Sequence, residues 1–192
     1  MDAAHKLIRE HSYGAVTIDA ICERAAVKKG SFYYFFDSKS DLAIAAIKAW
    51  GLERRALLTE MFKPEIPPVE RLRRYLEYLT ETQMAAFKET GQFLGCPLFT
   101  LGSEICTQDE VIRLLICDFL EGMVRLVETT VAEAQAAGDI EGHDPAAKAR
   151  IFLAYYEGIL TRARIENRPE PVENLAADTL EVIGARPSLV TV

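Results

Sequence analysis

Apolar residues recur along this chain at steps of three and four, the spacing that lines up side chains on one face of a helix. Over residues 3–11, Ala4, Leu7, Ile8 and His11 share a side. Ser12–Val16, with Gly14 inside it, interrupts the pattern. Thr17 is placed to cap a helix of about two turns, on which Ile18, Ile21, Cys22 and Ala25 share a face. A third short helix is expected near Lys28–Phe35. Ser38 and Asp41 then make a capping box, and a long helix should follow to about Met61, with Leu42, Ile44, Ala45, Ile47 and Leu52 on its stripe.

"KPEIPP" (Lys63–Pro68) is the clearest breaker, and a larger helical region begins after it. Leu72, Leu76, Leu79 and Phe87 mark the next helix, which Gly91 and Gly95 interrupt. Pro97 suits the first position of a short helix. Thr107 and Glu110 form a capping box for a helix to about Ala137, ended by Gly138. Asp144–Pro145 starts another that reaches about Asn167, and proline-bounded Glu170–Gly184 gives one more. No stretch alternates with period two for long enough to be a strand. The expectation is an all-α chain of about nine helices. A three-helix unit occupies residues 1–47, and a larger helical domain occupies 48–192.

With 192 residues, 49% of them hydrophobic, the chain can bury a substantial core. No apolar run approaches the ~20 residues of a membrane span. The opening "MDAAHKLIREH" carries charge every few residues, unlike a signal peptide, so a cytoplasmic location is expected. The four cysteines form no CxxC pair and the three histidines are scattered, which disfavours a disulfide framework, a zinc finger and a His-rich metal site; no metal or cofactor is expected. A net charge of −7 argues against a protein coated in nucleic acid. Residues 1–48, however, hold seven basic side chains against six acidic ones, leaving a near-neutral head on an acidic body.

Two short helices joined by a tight turn, with basic residues opening the second, suggest a helix-turn-helix. Lys28, Lys29 and Ser31 fall in the first turn of the second helix, where free backbone N–H groups attract phosphate. Lys28 or Lys29 can donate to guanine O6 and N7, and Ser31 or Tyr34 can meet base edges or phosphate oxygens. Phe32 and Phe36, four apart, face inward; Phe35 is harder to place, because the three aromatics cannot all be buried equally deeply. Lys39 is placed for a backbone phosphate. The same string also reads as an amphipathic surface helix over an aromatic stripe, and periodicity does not choose between the two.

The whole of residues 16–42, "VTIDAICERAAVKKGSFYYFFDSKSDL", resembles the DNA-binding signature of the TetR family of transcriptional regulators. Thr17, Ala25, Val27, Lys29, Gly30, Ser31, Phe32, Tyr33, Phe36, Lys39 and Leu42 match it. The resemblance implies that Thr17, Lys29, Tyr33 and Lys39 contact phosphates, with Lys28, Ser31 and Tyr34 nearest the bases. Three features depart from the family pattern. Ala26 stands where glycine is usual, so the turn either avoids positive φ or carries roughly 1 kcal/mol of strain. Lys28 replaces a serine cap and brings positive charge to the positive end of a helix. With the first helix expected to start almost at Met1, the family's usual basic arm and its minor-groove contacts are not expected here.

The resemblance further implies a homodimer formed by the last two long helices, an inverted-repeat operator in double-stranded DNA, and release by a bound effector. "FLAYYEGILTRARI" agrees, because its apolar residues cover more than one narrow face. Tyr156, Ile159, Ala163, Leu175 and Thr179 are the expected interface. The effector pocket is expected among the middle helices, drawing on Phe62, Tyr75, Tyr78, Phe87, Phe93, Phe99, Phe119 and Met123. Few charged residues (Glu81, Lys88, Glu104 and Arg113) accompany them, which implies a small, mostly apolar effector. "GCPLFTLGSE" resembles a Gly–Cys–x–Leu segment of one TetR subgroup, some members of which sense electrophiles or oxidants. Cys96, directly before Pro97, lies near a helix start that favours thiolate, beside the alternative of a purely structural thiol. The expected function is a ligand-responsive regulator, a repressor by family habit. The alternatives are a thiol-based sensor using Cys96 and a helical interaction module that does not bind DNA. No enzyme is expected: the chain has no glycine-rich phosphate loop, nucleophile elbow or HExxH motif.

Overall fold

Local signals set most of the helix ends in the computed structural model, which describes Leu7 and residues 11–186. Eight α-helices are present among the described residues: α1 Ile18–Arg24, α2 Lys29–Phe35, α3 Lys39–Met61, α4 Pro68–Thr90, α5 Pro97–Ile105, α6 Glu110–Ala136, α7 Pro145–Glu166 and α8 Leu175–Val182. The helix expected over 3–11 lies outside the described residues except for Leu7 and His11. Thr17 caps α1, its Oγ1 accepting from Ala20 N at 3.1 Å, and Asp144 caps α7 by accepting from Ala147 N at 2.8 Å.

Three local expectations change. Asp109, rather than Thr107, caps α6, because its carboxylate reaches Ile112 N at 3.0 Å. That bond and one from Ser40 hold the Asp109 carboxyl below the usual carboxylate range. At the start of α3, Ser38 Oγ accepts from Asp41 N but donates to the Asp41 carboxylate, so Asp41 does not reach back to the backbone. The span Glu170–Gly184 divides into a 3-10 turn, Glu170–Val172, and α8. Among the described residues there is no strand, only an isolated bridge between Ile140 and Ala185.

The chain forms two compact units. One holds the chain up to Arg55 together with Pro97–Phe119; the other holds Ala56–Cys96 and the chain from Leu120 onward. The first is built on Leu7, Val16, Ile21, Cys22, Phe32 and Leu42, with Ile18 and Phe36 packed against them. The second centres on Tyr75, Phe152 and Tyr156, whose ring centroids lie 5.6–6.5 Å apart. The Lys63–Pro68 break is pinned by buried Arg71, which donates to Ile66 O and Pro64 O and pairs with Glu133 at 2.6 Å. A buried guanidinium is tolerated where, as here, its donors are taken up.

Between α1 and α2 the backbone makes a Schellman turn. Val27 N donates to Cys22 O at 2.9 Å and Ala26 N to Glu23 O at 3.0 Å. That pattern requires a left-handed residue at position 26, and Ala26 supplies it at φ +54°. The turn therefore keeps a left-handed residue at this position and carries the strain of a Cβ there. Ala26→Gly is expected to stabilise the protein by about 0.5–1 kcal/mol, the relief of that strain less glycine's greater unfolded entropy. Thermal denaturation of both proteins measures it, and an unchanged or lowered midpoint would contradict a strained turn.

Candidate nucleic-acid interface

The short helix α2 is fixed from below and bare above. Phe32 is buried in the first unit's core and stacks edge-on to Tyr33 at 5.2 Å. Lys28, Lys29 and Ser31 are exposed, as are Tyr33, Tyr34 and Phe35, the last two by 81% and 71%. Lys28 sits at the N-cap position with no side-chain capping bond. Lys29 forms an ion pair with Asp19 of α1 at 2.8 Å, which raises its pKa chiefly through the hydrogen bond. Thr17 is occupied as the α1 cap. So α2 brings Lys28, Lys29, Ser31, Tyr33 and Tyr34 to one exposed element.

Lys39 stands apart from that cluster. Its ammonium donates to Tyr13 O at 2.8 Å and Val16 O at 2.9 Å, and lies 4.3 Å from the centroid of the Tyr13 ring. Two of its three donors thus serve the turn ahead of α1. The opposite side of that turn is held by Glu104 of α5, which accepts from Tyr13 N at 2.9 Å and Gly14 N at 2.5 Å. Glu104, one of the few charged side chains that accompany the aromatic pocket candidates in sequence, spends its carboxylate on this backbone. Ser40 adds a further brace by donating to Asp109 at 2.5 Å. The sequence pattern assigns the α6 cap to Thr107 rather than Asp109, and nothing local in it points to Glu104 as the partner of this turn.

The residues expected to line a pocket are divided between the two units. Phe62, Tyr75 and Phe93 are buried in the second unit's core, and Tyr78, Phe87 and Met123 pack against it. Phe99 and Phe119 belong to the first unit, where Phe119 lies 6.3 Å from Trp50 and covers Gly51. A cleft of about 290 Å³ in the second unit is lined by Arg73, Glu77, Thr80, Glu81, Glu173, Asn174, Ala176 and Ala177, and none of the eight candidates lines it. Cys96 is half-buried against the second core, in a segment clamped on both sides. Gln83 bonds both Gly95 N and Gly95 O, Asn167 bonds Phe93 N and Gly91 O, and Arg164 bonds Leu94 O.

Of the expected dimer residues, Tyr156, Ala163, Leu175 and Thr179 are buried inside their own chain, while Ile159 is half-exposed and packs partly against the same core. Amphipathic periodicity had found the inward stripe. The outward stripe of α7 carries Ile151, Gly158 and Ile165 at seven-residue steps, all exposed, Ile165 by 79%.

Replacing Lys39 with Met removes both donors and leaves two carbonyls of the turn without them. A loss of about 1–3 kcal/mol is expected, read as a lower midpoint in thermal unfolding. A variant as stable as the parent would return Lys39 to a role on phosphate alone.

Comparison with known proteins agrees with this geometry. Residues 1–46 match the family described as bacterial regulatory proteins, tetR family, and residues 68–178 match the tetracyclin repressor-like C-terminal domain. The chain is 34% identical to the transcriptional regulator AcuR of Cereibacter sphaeroides over 169 residues, covering 87% of this chain and 75% of the relative. It is 26% identical to the transcriptional repressor DhaR of a Mycobacterium species, covering 91% and 85% of the two chains. A regulatory protein TetR from Rhodobacter sphaeroides superposes with a TM-score of 0.81 at 31% identity over 93% of each chain. Reduced Escherichia coli NemR shares the fold at a TM-score of 0.81 and 22% identity, over 97% of this chain and 95% of that one. With a helix-turn-helix head and a helical body both matched, this chain belongs to the TetR family of DNA-binding transcriptional regulators and is not an enzyme.

Proposed function

We propose that this regulator is a repressor that holds an inverted-repeat operator as a homodimer in the cytoplasm and lets go when a small, largely apolar effector binds. The observation that carries the reading is α2: a short helix anchored by Phe32, with Lys28, Lys29, Ser31, Tyr33 and Tyr34 exposed on it. Lys28 and Ser31 face the bases, and Lys29 and Tyr33 meet phosphate once Lys29 exchanges Asp19 for the DNA backbone. Thr17 contributes through the α1 cap, and Lys39 by holding the turn that positions both helices. The relatives DhaR and NemR are both transcriptional repressors, which favours repression over activation. Among the described residues no helix is long and apolar enough to cross a membrane.

For the dimer, the exposed stripe Ile151, Gly158 and Ile165 supplies what the buried residues cannot, a surface that loses water only when a second copy covers it. The effector enters the second unit's aromatic core, around Tyr75, Phe93 and Tyr156. The Tyr75 and Tyr156 hydroxyls, 3.2 Å apart and buried, offer the polar end such a molecule needs. A second reading is favoured by Cys96, half-buried in its clamped segment and next to the buried Tyr156, whose pKa burial raises. In that reading an electrophile or oxidant modifies the thiol. Cys96→Ser separates the two: a non-covalent response survives it and a covalent one is lost.

A mobility-shift titration with DNA flanking the protein's own gene tests the function, with a discrete shift at nanomolar protein expected and uniform weak binding to any DNA counting against it. In the same assay Ile165→Asp should be a folded monomer by light scattering and lose the specific complex. A charge within a desolvated interface costs several kcal/mol, yet at this exposed position it leaves the single chain intact. A persistent dimer would move the interface off α7.

A further inference from the structure

The exposed face of α2 ends in apolar surface that neither phosphate contact nor packing uses. Phe35 is 71% exposed, and its ring meets that of Tyr34 edge-on, with centroids 4.8 Å apart at 89°. Phe35 lies one helical turn from Ser31, so the two share the side of α2 that also carries Tyr34. Val27, just ahead of the helix, is exposed as well. A phenyl ring has no donor for a phosphate oxygen, and leaving it in water on the recognition element has no structural benefit. The inward position is already filled by Phe32, with Phe36 packed beside it.

We propose that Phe35 reads thymine. The major groove displays one apolar group, the thymine C5 methyl, and an aromatic side chain can cover it where polar groups cannot. The Tyr34 ring is set against Phe35 edge-on, and the pair extends the apolar surface beside the Ser31 side of the helix. The occupant of this patch is therefore operator DNA, continuous with the surface that Lys28 and Ser31 present. Specificity then has two chemistries on a single element. Hydrogen bonds come from the start of α2, and methyl contact comes from its end. The inference rests on the DNA-binding reading above and makes it narrower: each half-site contains a thymine whose methyl, rather than its hydrogen-bonding edge, is recognised.

The test compares thymine with uracil, which differ by that methyl alone. The full-length protein selects its preferred duplex from a random-sequence pool, and each thymine of the selected site is then replaced in turn by uracil. The wild-type protein should lose about three- to fivefold in affinity at one or two positions per half-site, the loss expected for one buried methyl. Phe35→Ala should bind the selected site more weakly, with an unchanged salt slope, and should no longer distinguish uracil from thymine at those positions. Phe35→Leu should keep part of the discrimination. Because Phe35 is exposed, both variants should unfold at the wild-type temperature. If wild type and Phe35→Ala respond alike to every uracil, the methyl reading is overturned, and the patch belongs to a protein partner or to no one. If selection enriches no sequence at all, the DNA-binding reading falls first, and this one with it.

Discussion

The turn at residues 12–16 is the constraint on which the DNA-binding head depends. Inside it Ser12 takes up the Ala15 and Val16 amides, but the Tyr13 and Gly14 amides and the Tyr13 and Val16 carbonyls are met by partners from elsewhere. Two charged side chains supply them from opposite sides. Lys39, at the start of α3, takes the Tyr13 and Val16 carbonyls, and Glu104, in α5, takes the Tyr13 and Gly14 amides. Both are charge-assisted bonds, stronger than neutral ones, and they act on adjacent peptide groups. Gly14 permits the approach, since a Cβ there would lie 2.9 Å from the Glu104 carboxylate. With the turn fixed, Val16 enters the core and Thr17 reaches the position from which it caps α1. The aim of α2 follows from that sequence of contacts. It also follows that a displacement of α5 would be felt at the helix-turn-helix, through bonds rather than through loose packing.

The second unit solves a different problem, that of keeping polar groups inside an aromatic core. Tyr75 and Tyr156 satisfy each other, Gln83 spends its whole amide on Gly95, and Thr130 and Thr179 bond back to the preceding turn of their own helices. Glu157 is only 3% exposed beside them. Buried polar groups arranged in this way narrow the set of acceptable packings, because each alternative strands a donor or an acceptor. A ligand that offers new partners to such groups has a means of favouring one packing over another, which is what a regulator requires of its effector domain.

Two outward faces share one physical signature. Tyr34 and Phe35 on α2, and Ile151 and Ile165 on α7, are large apolar side chains left in water by the single chain. Scattered exposed residues of this kind need no explanation, but here Tyr34 and Phe35 lie ring against ring, and Ile151 and Ile165 share one stripe, on the two elements for which binding roles are proposed. One face suits the groove of DNA, and the other suits a second copy of the protein.

The sequence by itself determined the helices, most of their ends and the identity of the head. Those properties depend on neighbours a few residues apart: Thr17 on Ala20, Asp144 on Ala147, proline at the start of α4, α5 and α7. The motif at residues 16–42 is legible for the same reason, since its parts lie within one short stretch of chain. Tertiary structure alone decided which apolar stripe faces inward. Periodicity marks Tyr156 and Ala163 as apolar, yet it does not say whether their cover comes from the same chain or another. Structure also decided that Lys39 serves carbonyls 23 and 26 residues before it, and that Glu104 binds amides 90 and 91 residues away. A charged side chain carries no local sign of its partner when that partner is backbone brought near by the fold. Such contacts follow from the packing of whole helices, and no run of adjacent residues encodes them.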